Sequence, residues 1–280
     1  MREFLDALVK FPFLQYALLA GVIASVACGI VGSYVVARRI TYIAGGVAHC
    51  TLGGMGMARY LHAECDWTWL HPLHGAVVSA ILAALIIGLV SLHARQREDT
   101  VISALWAIGM AVGILFIAKT PGYQEDLMSY LFGNILLVSQ QDLVLIGALD
   151  VLVVAVGVLF YNKFLAVCFD EEFARLRGVQ VEFYYLLLLC LTALTVVVLV
   201  NVVGLIMVIA LLTLPVAIAG NFVNRLWQIM LLATLISIVL TTGGLVVSYE
   251  PELPSGATTI ALAGALYLLV LIMGRIRRAA

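Results

Sequence analysis

Apolar runs of about twenty residues follow one another from near the start of this chain to its end, and no other feature limits its fold so strongly. A run of that length crosses the ~30 Å hydrocarbon layer of a membrane as one helix. The candidate spans are residues 14–37, 41–61, 73–93, 101–118, 143–161, 181–201, 203–221, 227–247 and 258–274. A backbone in lipid must satisfy its own hydrogen bonds, which leaves helices and closed barrels. Barrel strands alternate apolar and polar residues; these runs are continuous. The chain is 64% hydrophobic and 11% charged, against about 25% charged in soluble domains. The expected fold is therefore all-α: a polytopic transmembrane helical bundle of about 8–9 spans, residues 1–280 forming a single domain. The lower count applies if 203–221 crosses only in part. Lipid is the first partner.

A net charge of −1 leaves no electrostatic footprint for nucleic acid. Cys28, Cys50, Cys65, Cys168 and Cys190 are scattered and give no disulfide framework. No small-residue cleavage site follows a short apolar core near Arg2 and Lys10, so no removable signal peptide is expected. Arg38 with Arg39, Arg95 with Arg97, Lys163 with Arg175 and Arg177, Arg225, and Arg275 with Arg277 and Arg278 fall at alternate span ends. The positive-inside rule makes those ends cytoplasmic, with the N-terminus outside and the C-terminus inside. Segment 126–139 does not fit as a further full span and reads as a short helix near the outer face.

One polar segment interrupts the apolar pattern: Asp170, Glu171, Glu172, Phe173, Ala174, Arg175, Leu176, Arg177, Gly178. As a helix it places Phe173, Leu176 and Arg177 on one face. Its acids lead and its arginines follow, as the helix dipole favours, and Gly178 is suited to ending it. It is either a solvated loop helix or a helix that docks into a partner's groove. The chain contains no GxxxxGK[ST] nucleotide loop. If it pumps, the energy comes from another chain, and this one is a transport subunit rather than an enzyme.

Within the second run, Gly45, His49 and Gly53 recur at spacing four, as do Gly46, Cys50, Gly54 and Ala58. Small residues at that spacing let helices approach closely, which turns His49 toward the protein interior. An intramembrane histidine is either a metal or proton site or a hydrogen-bonded packing residue; imidazole is a ligand for zinc, iron and related ions. Asp150, in the middle of another run, is costly in lipid and either lines a polar path or reaches the interface. The outward loop holding His62, Glu64, Cys65, Asp66, His71 and His74 is rich in ligand types without tight ligand spacing. Pro215, inside an apolar run, kinks its helix or shapes its packing.

These features, in their order, resemble the zinc/manganese/iron permease family of ABC transporters along nearly the whole chain. The marks are Arg38-Arg39 with the helix through Ala48-His49; Asp126-Leu127 with Tyr130-Leu131-Phe132-Gly133; and Phe169-Asp170-Glu171 with Ala174 and Gly178. They continue with Val203-Gly204, Ala210-Leu211-Leu212 and Pro215, then Leu253-Pro254-Ser255-Gly256-Ala257-Thr258. The resemblance implies a homodimer in a bacterial or archaeal cytoplasmic (inner) membrane. It implies two cytoplasmic ATPase subunits that bind the ATP, an extracytoplasmic metal-binding protein, and a divalent zinc, manganese or iron ion as cargo. It makes residues 170–178 a coupling helix, with Asp170, Glu171, Phe173, Ala174, Leu176, Arg177 and Gly178 at the partner contact, and His49 the ion-path ligand. Many relatives carry an aspartate four residues before that histidine; here the position is Gly45. Asp150 is the acid that this sequence offers in its place. The alternatives are a metal-chelate ABC permease and an ion-coupled secondary transporter with Asp150 as proton carrier.

Overall fold

The computed structural model describes residues 7–8, 10–65, 67, 69–93, 98–120, 138–251 and 253–279. Among the described residues every regular element is a helix, as the continuous apolar runs require. In chain order the principal helices are α1 Pro12–Ala37, α2 Thr41–Glu64, α3 Pro72–His93, α4 Glu98–Lys119, α5 Gln140–Leu159, α6 Tyr161–Phe169, α7 Glu171–Leu176, α8 Val181–Val203, α9 Leu205–Ala219, α10 Leu226–Tyr249 and α11 Ser255–Ala279. Among the described residues seven segments are long and apolar enough to cross a membrane: Pro12–Ala37, Pro72–His93, Thr100–Lys119, Gln140–Leu159, Val181–Val200, Leu226–Tyr249 and Ser255–Gly274. The other two sequence-predicted spans are helices as well. α2 has the length, with 24 residues, but its glycines and polar groups dilute its apolar character. α9 has only 15 residues, short of the ~20 that a span needs. Gly204, at φ 85, is the cause of that shortness: the left-handed backbone separates α8 from α9.

The run at 143–161 divides where the sequence suggested one span. α5 ends at Leu159, Phe160 caps it, and α6 begins at once as a separate short helix. The start of α5 is fixed by a capping box. Ser139 Oγ accepts from the amide of Asp142 at 3.2 Å, and the Asp142 carboxylate accepts from the Ser139 amide at 2.9 Å. The motif residues Asp126–Gly133 and the arginines Arg95 and Arg97 lie outside the described residues, as do the side chains of Arg275, Arg277 and Arg278.

The chain forms two compact units. The first comprises Met1–Arg39, Met128–Tyr161 and Val198–Ala280. In it α1 packs against α10, α9 and α5, and α11 lies on α10 and α9. Val216, Ala219 and Ala233 bury together there, with Val36, Ile229, Leu232 and Ile236 packed around them. α9 continues through Pro215 without breaking. Tyr34 Oη of α1 donates to the carbonyl of Gly157 in α5 at 3.2 Å.

The second unit comprises Ile40–Leu127 and Asn162–Val197. Here α2 packs against both α4 and α3. The α2–α4 contact is backbone on backbone. A Cβ built on Gly53 would sit 2.8 Å from the Gly109 carbonyl oxygen, and one on Gly56 would sit 2.7 Å from that of Gly113. Only glycine permits that approach, and two helices whose small residues face each other gain dispersion contacts that lipid tails cannot match. This contact sets the position of the site described next.

Candidate metal path and docking segment

His49 lies on the glycine-lined face of α2, one turn before Gly53, and only 9% of its surface is exposed. Trp106 lies on α4, three residues before Gly109. The backbone contact at Gly53 and Gly109 therefore brings the two rings together. They stack with centroids 4.3 Å apart and planes 12° from parallel. Among the described residues no group hydrogen-bonds either nitrogen of the His49 ring. The adjacent Cys50 points elsewhere, with Sγ 3.3 Å from the Leu105 carbonyl oxygen. Gly45, one turn before His49, is buried and supplies no carboxylate.

Asp150 belongs to the other compact unit. The buried residues of α5 are Ile146, Leu149, Asp150, Val153 and Gly157, one stripe at helical spacing. Val151, Val158 and Leu159 lie off that stripe and are exposed, an apolar surface suited to lipid. Asp150 thus faces protein, beside Ala27 and Cys28 of α1. Its Oδ1 has no hydrogen-bond partner among the described residues. A buried polar atom left unpaired costs about 1–3 kcal/mol.

The outward loop does not converge on a ligand set. His62 Nδ1 lies 3.2 Å from the Trp67 carbonyl oxygen, and the His71 and His74 rings meet edge to face at 6.2 Å. Among the described residues no group of three or more His, Cys, Asp or Glu side chains is placed to hold a metal ion.

The polar segment is a six-residue helix, α7, shorter than the ~12 residues at which isolated helices become even marginal in water. Its ends explain why it holds. Asp170 caps the start, Oδ1 accepting from the Phe173 amide at 2.9 Å. At the other end Gly178 takes φ 74. The Gly178 amide donates to the Arg175 carbonyl at 2.9 Å and the Val179 amide to the Ala174 carbonyl at 3.0 Å. That pair of bonds is a Schellman closure. Ala174 alone of the helix is buried and anchors it. The outward side is apolar where a solvated loop would be polar: Phe173 is 49% exposed and Leu176 87%. The Arg177 guanidinium sits 4.7 Å over the Phe173 ring. Lys163, Phe169, Asp170, Phe173 and Arg177 line an open cleft of about 720 Å³ between α6 and α7.

Sequence reading singles out His49, Asp150 and the docking segment, and does not single out Trp106. The signal was present in register: Trp106 precedes Gly109 and Gly113 on α4 as His49 precedes Gly53 and Gly56 on α2.

Residues 10–274 match the sequence pattern of the ABC 3 transport family. The "Probable metal transport system membrane protein" of Chlamydia trachomatis serovar D is 44% identical over 264 residues, covering 94% of this chain and 90% of that protein. The "Manganese transport system membrane protein MntC" of Halalkalibacterium halodurans is 31% identical over 266 residues, covering 95% and 89%. Among solved structures, "PsaBC from Streptococcus pneumoniae in complex with Fab" superposes with a TM-score of 0.85 at 28% identity, covering 96% of this chain and 94% of that one.

Proposed function

Since this chain belongs to the ABC 3 transport family, we propose that it is the membrane-spanning permease of an importer that moves divalent transition-metal ions at the expense of ATP hydrolysed by a partner. The observation that carries the reading is α7. A helix of six residues, capped at both ends and presenting Phe173 and Leu176 outward, is preformed for a groove in another protein. The chain has no nucleotide loop of its own, so that protein is the ATPase. Its closure on nucleotide would push on α7 and, through α6 and the start of α8, on the helices that open the path to one side or the other.

The cargo reading rests on the names of the relatives and on His49. Those relatives are named as metal and manganese transport proteins. His49 offers unbonded imidazole nitrogens on the buried, glycine-lined face of α2, and imidazole binds zinc, iron and, more weakly, manganese. Asp150, with its unpaired oxygen, is a separate polar candidate within its own unit. We place the permease in a bacterial or archaeal cytoplasmic membrane, as a pair of copies, with basic span ends and α7 inside. A metal-binding protein would deliver the ion to the outer face.

The test is metal accumulation in a metal-starved cell that lacks its own importers. The permease is expressed with its ATPase and binding protein, and cell-associated zinc, manganese and iron are measured by mass spectrometry. One metal should rise, and the rise should vanish with an ATPase unable to hydrolyse ATP. An assembled complex that raises none of the three contradicts the proposal.

A further inference from the structure

His49 has a satisfied face and an open edge. The face is covered by Trp106, 4.3 Å away and nearly parallel. The edge, where both nitrogens lie, has no hydrogen-bond partner among the described residues. Trp106 in turn is 43% exposed and fills no core. Among the described residues its ring contact is this one imidazole.

We propose that Trp106 is the positioning residue of the His49 ligand: its indole fixes the plane of the imidazole and leaves the lone pair of the unprotonated ring nitrogen free for a divalent cation. This rests on the reading of His49 as an ion-path ligand. The lone pair of an imidazole nitrogen lies in the ring plane, whereas a stacked indole occupies the direction perpendicular to it. The clamp and the cation therefore do not compete for the same space. Rotation of the imidazole about its Cβ–Cγ bond would break the stack, so the stack selects one ring orientation. When the imidazole binds a cation it takes on positive charge, and the electron-rich indole face favours that charged form. The backbone contact of Gly53 with Gly109 and Gly56 with Gly113 keeps both rings in register. With Gly45 one turn away, no carboxylate at that position orients the ring.

The test uses the assembled permease–ATPase complex in lipid nanodiscs and measures equilibrium binding of zinc(II) and, separately, manganese(II). Trp106→Leu removes the ring; Trp106→Phe keeps an aromatic face. A stack of this kind predicts a dissociation constant raised about fivefold in Trp106→Leu, and restored to within about twofold of wild type in Trp106→Phe. His49→Ala should abolish the saturable site. Wild-type affinity in Trp106→Leu overturns the inference. So does equal weakening by Leu and Phe, which would give Trp106 a role of volume only. If Trp106→Leu does not assemble with the ATPase, Trp106→Met reads the same quantity; failure of both would make Trp106 a folding residue and also overturn it. Unchanged binding in His49→Ala is a separate result, which removes His49 from the ion path itself.

Discussion

Asp150 is held in a place where its charge has little support. It sits midway along a membrane helix, faces protein, and has an oxygen without a partner among the described residues. An ionised aspartate at the centre of a membrane helix costs about 2.5–3.5 kcal/mol on insertion scales. On the proposal that Asp150 serves transport, that cost is borne for function, since an apolar residue there would be more stable. Asp150→Asn should therefore leave the thermal midpoint of the solubilised protein unchanged or raise it, while metal accumulation falls severalfold. A lower midpoint with intact transport would make the carboxylate structural. His49 and Asp150 were legible in the sequence because charge and imidazole are rare within apolar runs. Trp106 was not. An indole in such a run looks the same whether it faces lipid or a histidine, and only the pairing of α2 with α4 distinguishes the two.

At the scale of the element, two local designs carry the account. The first is the glycine contact of α2 with α4. A Cβ on Gly109 would lie 2.8 Å from the Cα of Cys50, and backbone there cannot give way as a flexible side chain can. Gly109→Ala should destabilise the protein by about 1–3 kcal/mol, as overpacking in close-packed interiors does, and loosen the His49–Trp106 stack. A thermal melt and the zinc-binding constant check the two halves of that expectation. The second is α7. Gly178→Val places a branched side chain at φ 74, where left-handed backbone costs about 1–2 kcal/mol. It should weaken co-purification of the ATPase while the permease itself stays folded in the membrane. Leu176→Asp should do the same without touching either cap, because Leu176 is almost wholly exposed. Retention of the ATPase by both variants would remove α7 from the docking surface. The sequence placed this helix well, since acids, arginines and glycine each have a fixed place in a capped turn. It did not reveal α6, because a helix that follows directly on a membrane span shares its apolar composition.

For the whole molecule, composition and run length were enough to read a multi-pass helical membrane protein, because lipid leaves the backbone few choices. Which helices pair, and that contacts divide the chain into two compact units, depend on small-residue faces whose partners a single sequence does not name. The central claim is that ATP spent by a docked partner drives a divalent metal through this protein. The most direct measurement is uptake of radioactive manganese(II) and zinc(II) into vesicles reconstituted with permease, ATPase and binding protein. Uptake is followed with and without ATP, and with and without a proton uncoupler. The account predicts accumulation of a metal that requires ATP and ignores the uncoupler. Accumulation that proceeds without ATP and collapses with the uncoupler would contradict it, and would make the chain an ion-coupled carrier.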